Sequence, residues 1–402
     1  MNKIKWVLNR LFCYLLNILL NICFHKNKKK ILFGCKPAPY TKDAFIHNTK
    51  YLFLSLQNNS NYQTLFLCDN TKLIQEFKKI GIKNIAKRNS LKGIWAILTS
   101  AYWFCDITAN QVTRFNAQNT NAIIINLWHG ASGLKKVGYD AIESQLKFKR
   151  KDFQDCVYKA LKKMDNYYIT NSSYESQCRK SAFGATEEQI VILGSPRLDV
   201  LYKDIPNAEI FMEEDFNNIK NLKKEGKNLI IYMPTFRDTG KDISGWLKSD
   251  RIRIFLKNTN SVLICKLHPF DKNVIDFSLG NEFYKMANDS DVYPILKYTD
   301  ALITDYSSVY FDYLHLNKPI IYYIPDLKEY ETKCRGFYRP YETLTAGIYA
   351  KNEDELLQAM QDIVNGIDNY KAKRKALLDE MFVFQDGNNC KRVIDWLNSL
   401  EE

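Results

Sequence analysis

A chain of 402 residues that is 46% hydrophobic, 13% aromatic and 25% charged supplies apolar material for two packed cores, which excludes the disordered and fibrous classes. Its 57 Lys and Arg exceed its 45 Asp and Glu, for a net charge of +12, a field that draws in phosphates, nucleotides or anionic lipid headgroups. The cations are scattered rather than gathered into an arm, and no zinc-finger spacing or RNP-like aromatic motif accompanies them, so nucleic acid is not the expected partner.

Residues 11–24, LFCYLLNILLNICF, form an apolar run of 14 residues, short of the roughly 20 that a membrane-spanning helix requires. Lys3, Arg10, Asn17 and Asn21 recur at helical spacing. The segment therefore predicts an amphipathic helix lying in a membrane interface. HKNKKK at 25–30 adds four lysines, each contributing about 1 kcal/mol near an anionic surface. Residues 1–30 are thus expected to attach to an anionic membrane surface. A buried structural helix and a signal or true span are the alternatives, although no A-x-A cleavage site follows.

From residue 31, short β-rich runs alternate with amphipathic stretches, the pattern of α/β units with parallel sheets. The first set is KILFGC, TLFLCD, YWFCDIT, AIIINLWHG, NYYITNS and IVILGSP. After a charged helical stretch at 207–227 comes a second set, NLIIYMPTF, SVLICKLHP, ALITDYSS and KPIIYYIP. This organisation predicts one domain over 31–200 and a second over 201–402, closed by an amphipathic helix at RVIDWLNSL. The ten cysteines fall singly, with no C-x-x-C pair, so reduced thiols are expected rather than disulfides, a redox motif or a zinc site.

No G-x-G-x-x-G or Walker-type loop follows any strand. The candidate chemistry lies instead where strands end, because ligands of open α/β sheets bind outside the carboxyl ends of strands. His129 in NLWHGASGLKK and His268 in ICKLHPF occupy such ends. Either suits an acid, a base or a phosphate ligand, because imidazole titrates near neutrality. Gly130 and Gly133 permit close backbone approach beside His129, and Lys135 and Lys136 add positive charge. His25, His47 and His315 read as ordinary satisfied side chains.

In ALITDYSSVYFDYLHLNKPIIYY, Ser307 and Ser308 stand where a strand turns into a helix, a place suited to phosphate, with a plain N-cap as the competing reading. Asp312 follows one turn later, as a dipole partner or an acceptor for ligand hydroxyls. YMPTFRD contributes Pro234, Thr235 and Arg237, whose guanidinium suits phosphate or carboxylate or else pairs with Asp238. Arg335 and Arg339 lie in the loop CRGFYRPYE. Asp289-Ser290-Asp291 reads as a solvated turn, and no metal cluster or cofactor motif is evident.

Taken in order, LWHGASGLKKVGYD, LGSPRLDVL, IIYMPTFRD, LICKLHPF, LITDYSSVYFDYLHLNKPIIYY, RGFYRPYE and QDGNNCKRV resemble the CDP-glycerol glycerophosphotransferase family of teichoic acid and capsule enzymes. The resemblance runs from about residue 31 to 395. It implies a GT-B-like α/β fold, two Rossmann-like domains facing a cleft, with the acceptor held mainly by the first and the CDP-activated donor by the second. It places the family's two histidines on His129 and His268 and its phosphate-loop residues on Ser307, Ser308 and Asp312. Leu134 stands where the family spaces a lysine, so Lys135 matches with a one-residue insertion and Lys136 is the alternative.

The reaction so implied moves glycerol phosphate, or a related polyol phosphate, from a CDP-polyol to a hydroxyl of a polyprenol-linked or polysaccharide acceptor, with release of CMP. His129 would be the base, and His268 with the serine-bearing turn would stabilise the leaving group. Positive protein groups would take the place of Mg²⁺, and no cofactor is expected. The resemblance also puts the enzyme peripherally on the cytoplasmic face of the bacterial membrane. Two other readings stay open: a GT-B glycosyltransferase using a nucleotide sugar, and a non-catalytic membrane-surface scaffold.

Overall fold

A computed structural model of the chain describes residues 3–34, 45–107, 109–113, 120–131, 133–141, 165–235, 237, 243–267, 280–287, 290–333 and 336–400. The first sheet contains β1 (Asn27–Gly34), β2 (Gln63–Leu67), β3 (Ile85–Ala86), β4 (Ser100–Cys105), β5 (Ile123–Asn126), β6 (Tyr167–Thr170) and β7 (Ile190–Ile192). Its strands run parallel in the order β3-β2-β1-β4-β5-β6-β7. The second holds β8 (Asn228–Met233), β9 (Ser261–Cys265), β10 (Phe283–Lys285), β11 (Ala301–Thr304), β12 (Ile320–Tyr323) and β13 (Ile348–Ala350). These too are parallel, in the order β10-β9-β8-β11-β12-β13.

Helices cover the sheets, so the central strands are buried on both faces and read as continuous apolar runs; every residue of β4, β9 and β11 is buried. In each sheet the strand order reverses beside the first strand, between β1 and β4 and again between β8 and β11. Such a reversal opens a crevice at the strands' carboxyl ends. Two Rossmann-like halves in series form the GT-B-like α/β fold.

Two features depart from the expected organisation. The basic segment begins β1: Asn27 is in register with Ser100 of β4, so Lys28 and Lys29 project from the exposed start of a strand whose second half is core. The closing helix, Asn389–Ser399, returns to the first domain. The backbone N–H groups of Asn389 and Cys390 each donate to the Asp199 carboxylate at 2.9 Å, and Trp396 packs edge-on against Tyr167 of β6.

The amino-terminal helix spans Lys3–Cys23. Leu8, Leu11, Phe12, Leu15, Leu19 and Ile22 lie exposed along one of its faces. No helix of the described residues is long and apolar enough to cross a membrane. Cys23, Cys68, Cys105, Cys178, Cys265 and Cys390 are free thiols, all buried except Cys23.

Because Asp199 alone receives both N–H groups at the start of the closing helix, Asp199→Ala leaves them buried without an acceptor. The expected loss is about 1–3 kcal/mol of stability, with faster amide exchange across 389–399. Urea titration and hydrogen exchange measure both; unchanged exchange in that helix would mean that it docks without the carboxylate.

Candidate active site

The first side of the cleft is built by the segment after β5. Asn126 accepts a hydrogen bond from the Trp128 N–H at 2.9 Å, and Trp128 takes a left-handed backbone at φ 56°, which turns His129 and Gly130 out of the sheet. The Trp128 ring is held from behind by the Arg179 guanidinium, 4.0 Å from its centroid, itself paired with Glu175 at 3.2 Å. Beside His129, at 5.8 Å between ring centroids, stands His47, also left-handed at φ 69°. Each such non-glycine conformation costs about 1–3 kcal/mol and persists only where its surroundings hold it. His47, read from sequence as an ordinary side chain, thus stands beside His129 at the candidate site. A 9-residue helix starting in histidine gives no signal of this.

The second side is built at the reversal between β8 and β11. Pro234 and Thr235 end β8, and Asp305 to Ser308 follow β11. The Thr235 N–H donates to Asp305 Oδ1 at 2.8 Å and joins the two ends; its hydroxyl is buried without a hydrogen-bond partner among the described residues. Ser308 occupies the N-cap position of the short helix Val309–Tyr313 but makes no side-chain cap hydrogen bond. Its hydroxyl is therefore not spent on the helix.

The two sides meet. A Cβ placed on Gly130 would lie 3.0 Å from Ser308 Oγ, so glycine lets the His129 loop approach the serine turn across the cleft. Further along, Gly133 has φ 108°, and a Cβ there would strike the Tyr174 ring at 2.5 Å. Lys135 then forms an antiparallel bridge with Phe337, flanked by Lys136 N–H to Gly336 O at 3.1 Å and Tyr338 N–H to Leu134 O at 3.0 Å. Lys135 and Lys136 are half-buried in this pairing with the loop that follows Arg335. His268 and Arg335 themselves lie outside the described residues, as do Asp238 and Asp289.

Other candidates face inward. Both carboxylate oxygens of Asp312 are engaged within the protein: Arg197 donates at 2.8 and 3.1 Å and the Tyr293 hydroxyl at 2.6 Å. Burial alone would lower the Arg197 pKa, but Asp312 and Tyr293 override it and raise it. Asp312 thus ties the serine-bearing helix to the first domain and is not presented to ligand hydroxyls. Arg237 is likewise buried, between Asp305 at 2.8 Å and Asp326 at 2.8 Å, and braces the carboxyl ends of three strands. Its carboxylate partners among the described residues are therefore Asp305 and Asp326. Asp291 is no solvated turn residue: it is buried against Lys50 at 2.8 Å and the Tyr51 hydroxyl at 2.7 Å.

Asn48, invisible as a site residue in the sequence, ties the His129 segment to Arg197, the partner of Asp312 on the second side. Its amide nitrogen donates to Leu127 O at 2.9 Å and Trp128 O at 2.7 Å, and its oxygen accepts from the Arg197 N–H at 3.0 Å. Among the described residues no group of three or more His, Cys, Asp or Glu is placed to hold a metal ion. A cavity of about 1000 Å³ opens elsewhere, at the amino ends of β2 and β3, and touches neither His129 nor Ser308.

Residues 16–399 match the family described as CDP-Glycerol:Poly(glycerophosphate) glycerophosphotransferase. The teichoic acid poly(glycerol phosphate) polymerase of Bacillus spizizenii is 28% identical over 384 residues, covering 92% of this chain and 92% of that protein. The teichoic acid ribitol-phosphate polymerase TarK of Staphylococcus aureus is 30% identical over 280 residues, 67% of this chain but 51% of that protein. A structure of the wall teichoic acid polymerase TagF superposes with a TM-score of 0.74 at 23% identity, over 99% of this chain and 97% of that one, and shares its GT-B-like fold. The chain belongs to the CDP-glycerol glycerophosphotransferase family and is an enzyme of that type, whose reaction carries a CDP-activated polyol phosphate to a polysaccharide acceptor.

At the end of β4, Asp106 accepts from the Thr49 hydroxyl at 2.5 Å and the Thr49 N–H at 3.1 Å. Burial pushes its carboxyl up to about 7, against the opposing pull of those hydrogen bonds. The folded protein keeps a proton that the unfolded chain releases near 3.8. The stability this group contributes is thus fully present below the lower value and is lost as pH rises toward the upper. Asp106→Asn should flatten the dependence of the urea midpoint on pH across that window; an unchanged slope would place the titration on another group.

Proposed function

We propose that this enzyme transfers glycerol phosphate, or a closely related polyol phosphate, from a CDP-polyol to a hydroxyl of a polyprenol-linked or polysaccharide acceptor in teichoic acid or capsule synthesis. The observation that carries the reading is the meeting of the His129 loop with Ser308 across the cleft, which would set the proposed base of one domain against the serine turn of the other. The acceptor hydroxyl attacks the phosphorus that bears the polyol. An O–P bond forms, the anhydride bond to CMP breaks, and the hydroxyl proton passes to His129. His129 as general base would contribute roughly 10²–10⁴-fold.

On this reading the donor's phosphates lie over the β8–β11 reversal, where the hydroxyls of Thr235 and Ser308, with Ser307, donate to anionic oxygens. His268, at the end of β9, and Arg335 would add positive charge to the departing CMP. Lys135 and Lys136 would serve a phosphate-bearing acceptor from the first domain, and Asp312 and Arg237 would act indirectly, by holding the serine turn and the strand ends. Support for a CDP-linked donor also comes from the relatives, which include both glycerol-phosphate and ribitol-phosphate polymerases, and from a TagF variant studied after soaking with CDPG.

The apolar stripe of the amino-terminal helix supports attachment to the cytoplasmic face of the membrane, where a lipid-linked acceptor would be met. Nucleotide release by purified protein with membranes and a panel of CDP-glycerol, CDP-ribitol and UDP-sugars tests the reading as a whole. Release from UDP-sugars alone would assign the chain to nucleotide-sugar glycosyltransfer instead.

His129→Ala is expected to reduce turnover by roughly 10²–10⁴-fold while calorimetric binding of CDP-glycerol stays within a few-fold, because the base acts on the acceptor. A variant that keeps most of its turnover at saturating substrates would remove His129 from that role. Ser308→Ala should do the reverse, weakening donor binding by about tenfold with every acceptor, the effect of one lost hydrogen bond to a charged group. Normal donor binding and turnover in that variant would move the phosphate site elsewhere.

A further inference from the structure

The helix Leu91–Thr99, LKGIWAILT, is turned inside out. It begins at Ser90, whose hydroxyl accepts from the Gly93 N–H at 3.1 Å, and the residues it buries are Gly93, Ala96 and Thr99. A Cβ on Gly93 would lie 2.2 Å from Lys87 O; the helix backbone therefore sits directly on the preceding loop, and only small side chains fit beneath it. Three of its large apolar residues face outward, Leu91 89%, Ile94 40% and Trp95 56% exposed, while Ile97 packs against the core. A helix on a soluble surface normally shows the opposite pattern.

This face adjoins the amino-terminal helix. The Phe24 ring meets Trp95 edge-on at 6.0 Å, Lys26 Nζ donates to Ile97 O at 2.9 Å and Lys30 Nζ to Thr99 Oγ1 at 3.2 Å. The chain segments that carry this face hold charge of one sign. Neither residues 1–42 nor residues 77–105 contain an Asp or Glu, while Lys28, Lys29, Lys83, Lys87 and Lys92 are exposed.

We infer that Leu91, Ile94 and Trp95 form a second membrane-contact element that enters the interface of an anionic bilayer together with the amino-terminal helix. The inference rests on the membrane reading above and extends it to a separate part of the chain. An outward tryptophan among aliphatic side chains, ringed by lysines, suits the headgroup region, where indole rings settle and lysines meet anionic lipid. A second copy of the chain would bring like charge against this rim. One weak anchor binds a bilayer only marginally and reversibly, and two in combination hold.

The test uses the full chain and sedimentation with vesicles of phosphatidylcholine with or without phosphatidylglycerol. Leu91→Ser/Ile94→Ser/Trp95→Ser should lower partitioning onto the anionic vesicles by about tenfold, as should Phe12→Ser/Leu15→Ser/Leu19→Ser in the amino-terminal helix, and the combined variant should lose binding. Nucleotide release from CDP-glycerol in detergent should be unchanged in the first variant, since none of its substitutions lies at the cleft. If that variant partitions like the unaltered chain while the helix variant does not, the second contact is wrong and the first stands. If the unaltered chain fails to bind anionic vesicles, both fall. Loss of self-association in sedimentation velocity, with vesicle binding intact, would reassign the face to contacts between copies.

Discussion

Five consecutive residues, His47 to Tyr51, hold the molecule together at the cleft. His47 faces His129. Asn48 grips the carbonyls before His129 and the Arg197 backbone, and Thr49 binds Asp106 at the end of β4. Lys50 reaches Ala208 O and Asp291 of the second domain, and Tyr51 shares that carboxylate. One helical turn thus satisfies the first domain's strand ends, the linker and the second domain at once. Polar side chains so deeply buried are tolerable only when each finds its partner, so the relative placement of these parts is over-determined.

The Arg197–Asp312 pair continues this network to the serine turn. Its attraction is offset by the desolvation of both ions, so it adds little net stability over an apolar substitute, whereas loss of one partner typically costs about 3–5 kcal/mol. Its consequence is geometric. Through Arg197 the segment carrying His129 and the helix carrying Ser308 share one hydrogen-bonded frame, and a near-attack arrangement between groups on different domains requires such a frame.

Strands with long apolar runs were legible from sequence because burial on both faces writes itself as continuous Val, Ile, Leu and aromatic residues; β4, β8 and β9 are of this kind. The short edge strands β3, β10 and β13 were not, since two or three residues leave no periodic signal, whereas β7, equally short and also at an edge, was marked by the apolar run before Gly194. Strand-end histidines could be singled out as His129 was, because topology places them. His315, read from sequence as structural, is half-buried beside the Tyr202 hydroxyl, 2.6 Å from its Nδ1, and desolvation drives its pKa down to about 3. What sequence could not reveal is partnership between residues distant in the chain. Asp312 and Arg237 carry the right chemistry for ligands, but whether that chemistry is spent internally depends on Arg197, Tyr293, Asp305 and Asp326, which only the fold brings near. The outward face of Leu91–Thr99 was hidden for the same reason, because an amphipathic pattern does not say which side is in.

Burial also changes what the net charge means. The buried charged side chains among the described residues are Lys50 and the arginines 88, 179, 197, 237 and 374, against Glu175 and the aspartates 106, 199, 215, 291, 305, 312 and 326. Among the described residues acidic groups thus outnumber cations in the interior, eight against six, so the positive excess of the composition lies outside those buried groups. Arginine is concentrated inside, where its planar fork suits paired carboxylates, so much of the outward field comes from lysine. Lysine acts as a hydrated point charge, suited to diffuse attraction rather than bidentate recognition. Such a field gathers a CDP-linked donor, a phosphate-rich polymer and an anionic bilayer alike and distinguishes none of them. Discrimination must come from short-range features such as the candidate groups lining the cleft, because at physiological salt the screening length is about 8 Å.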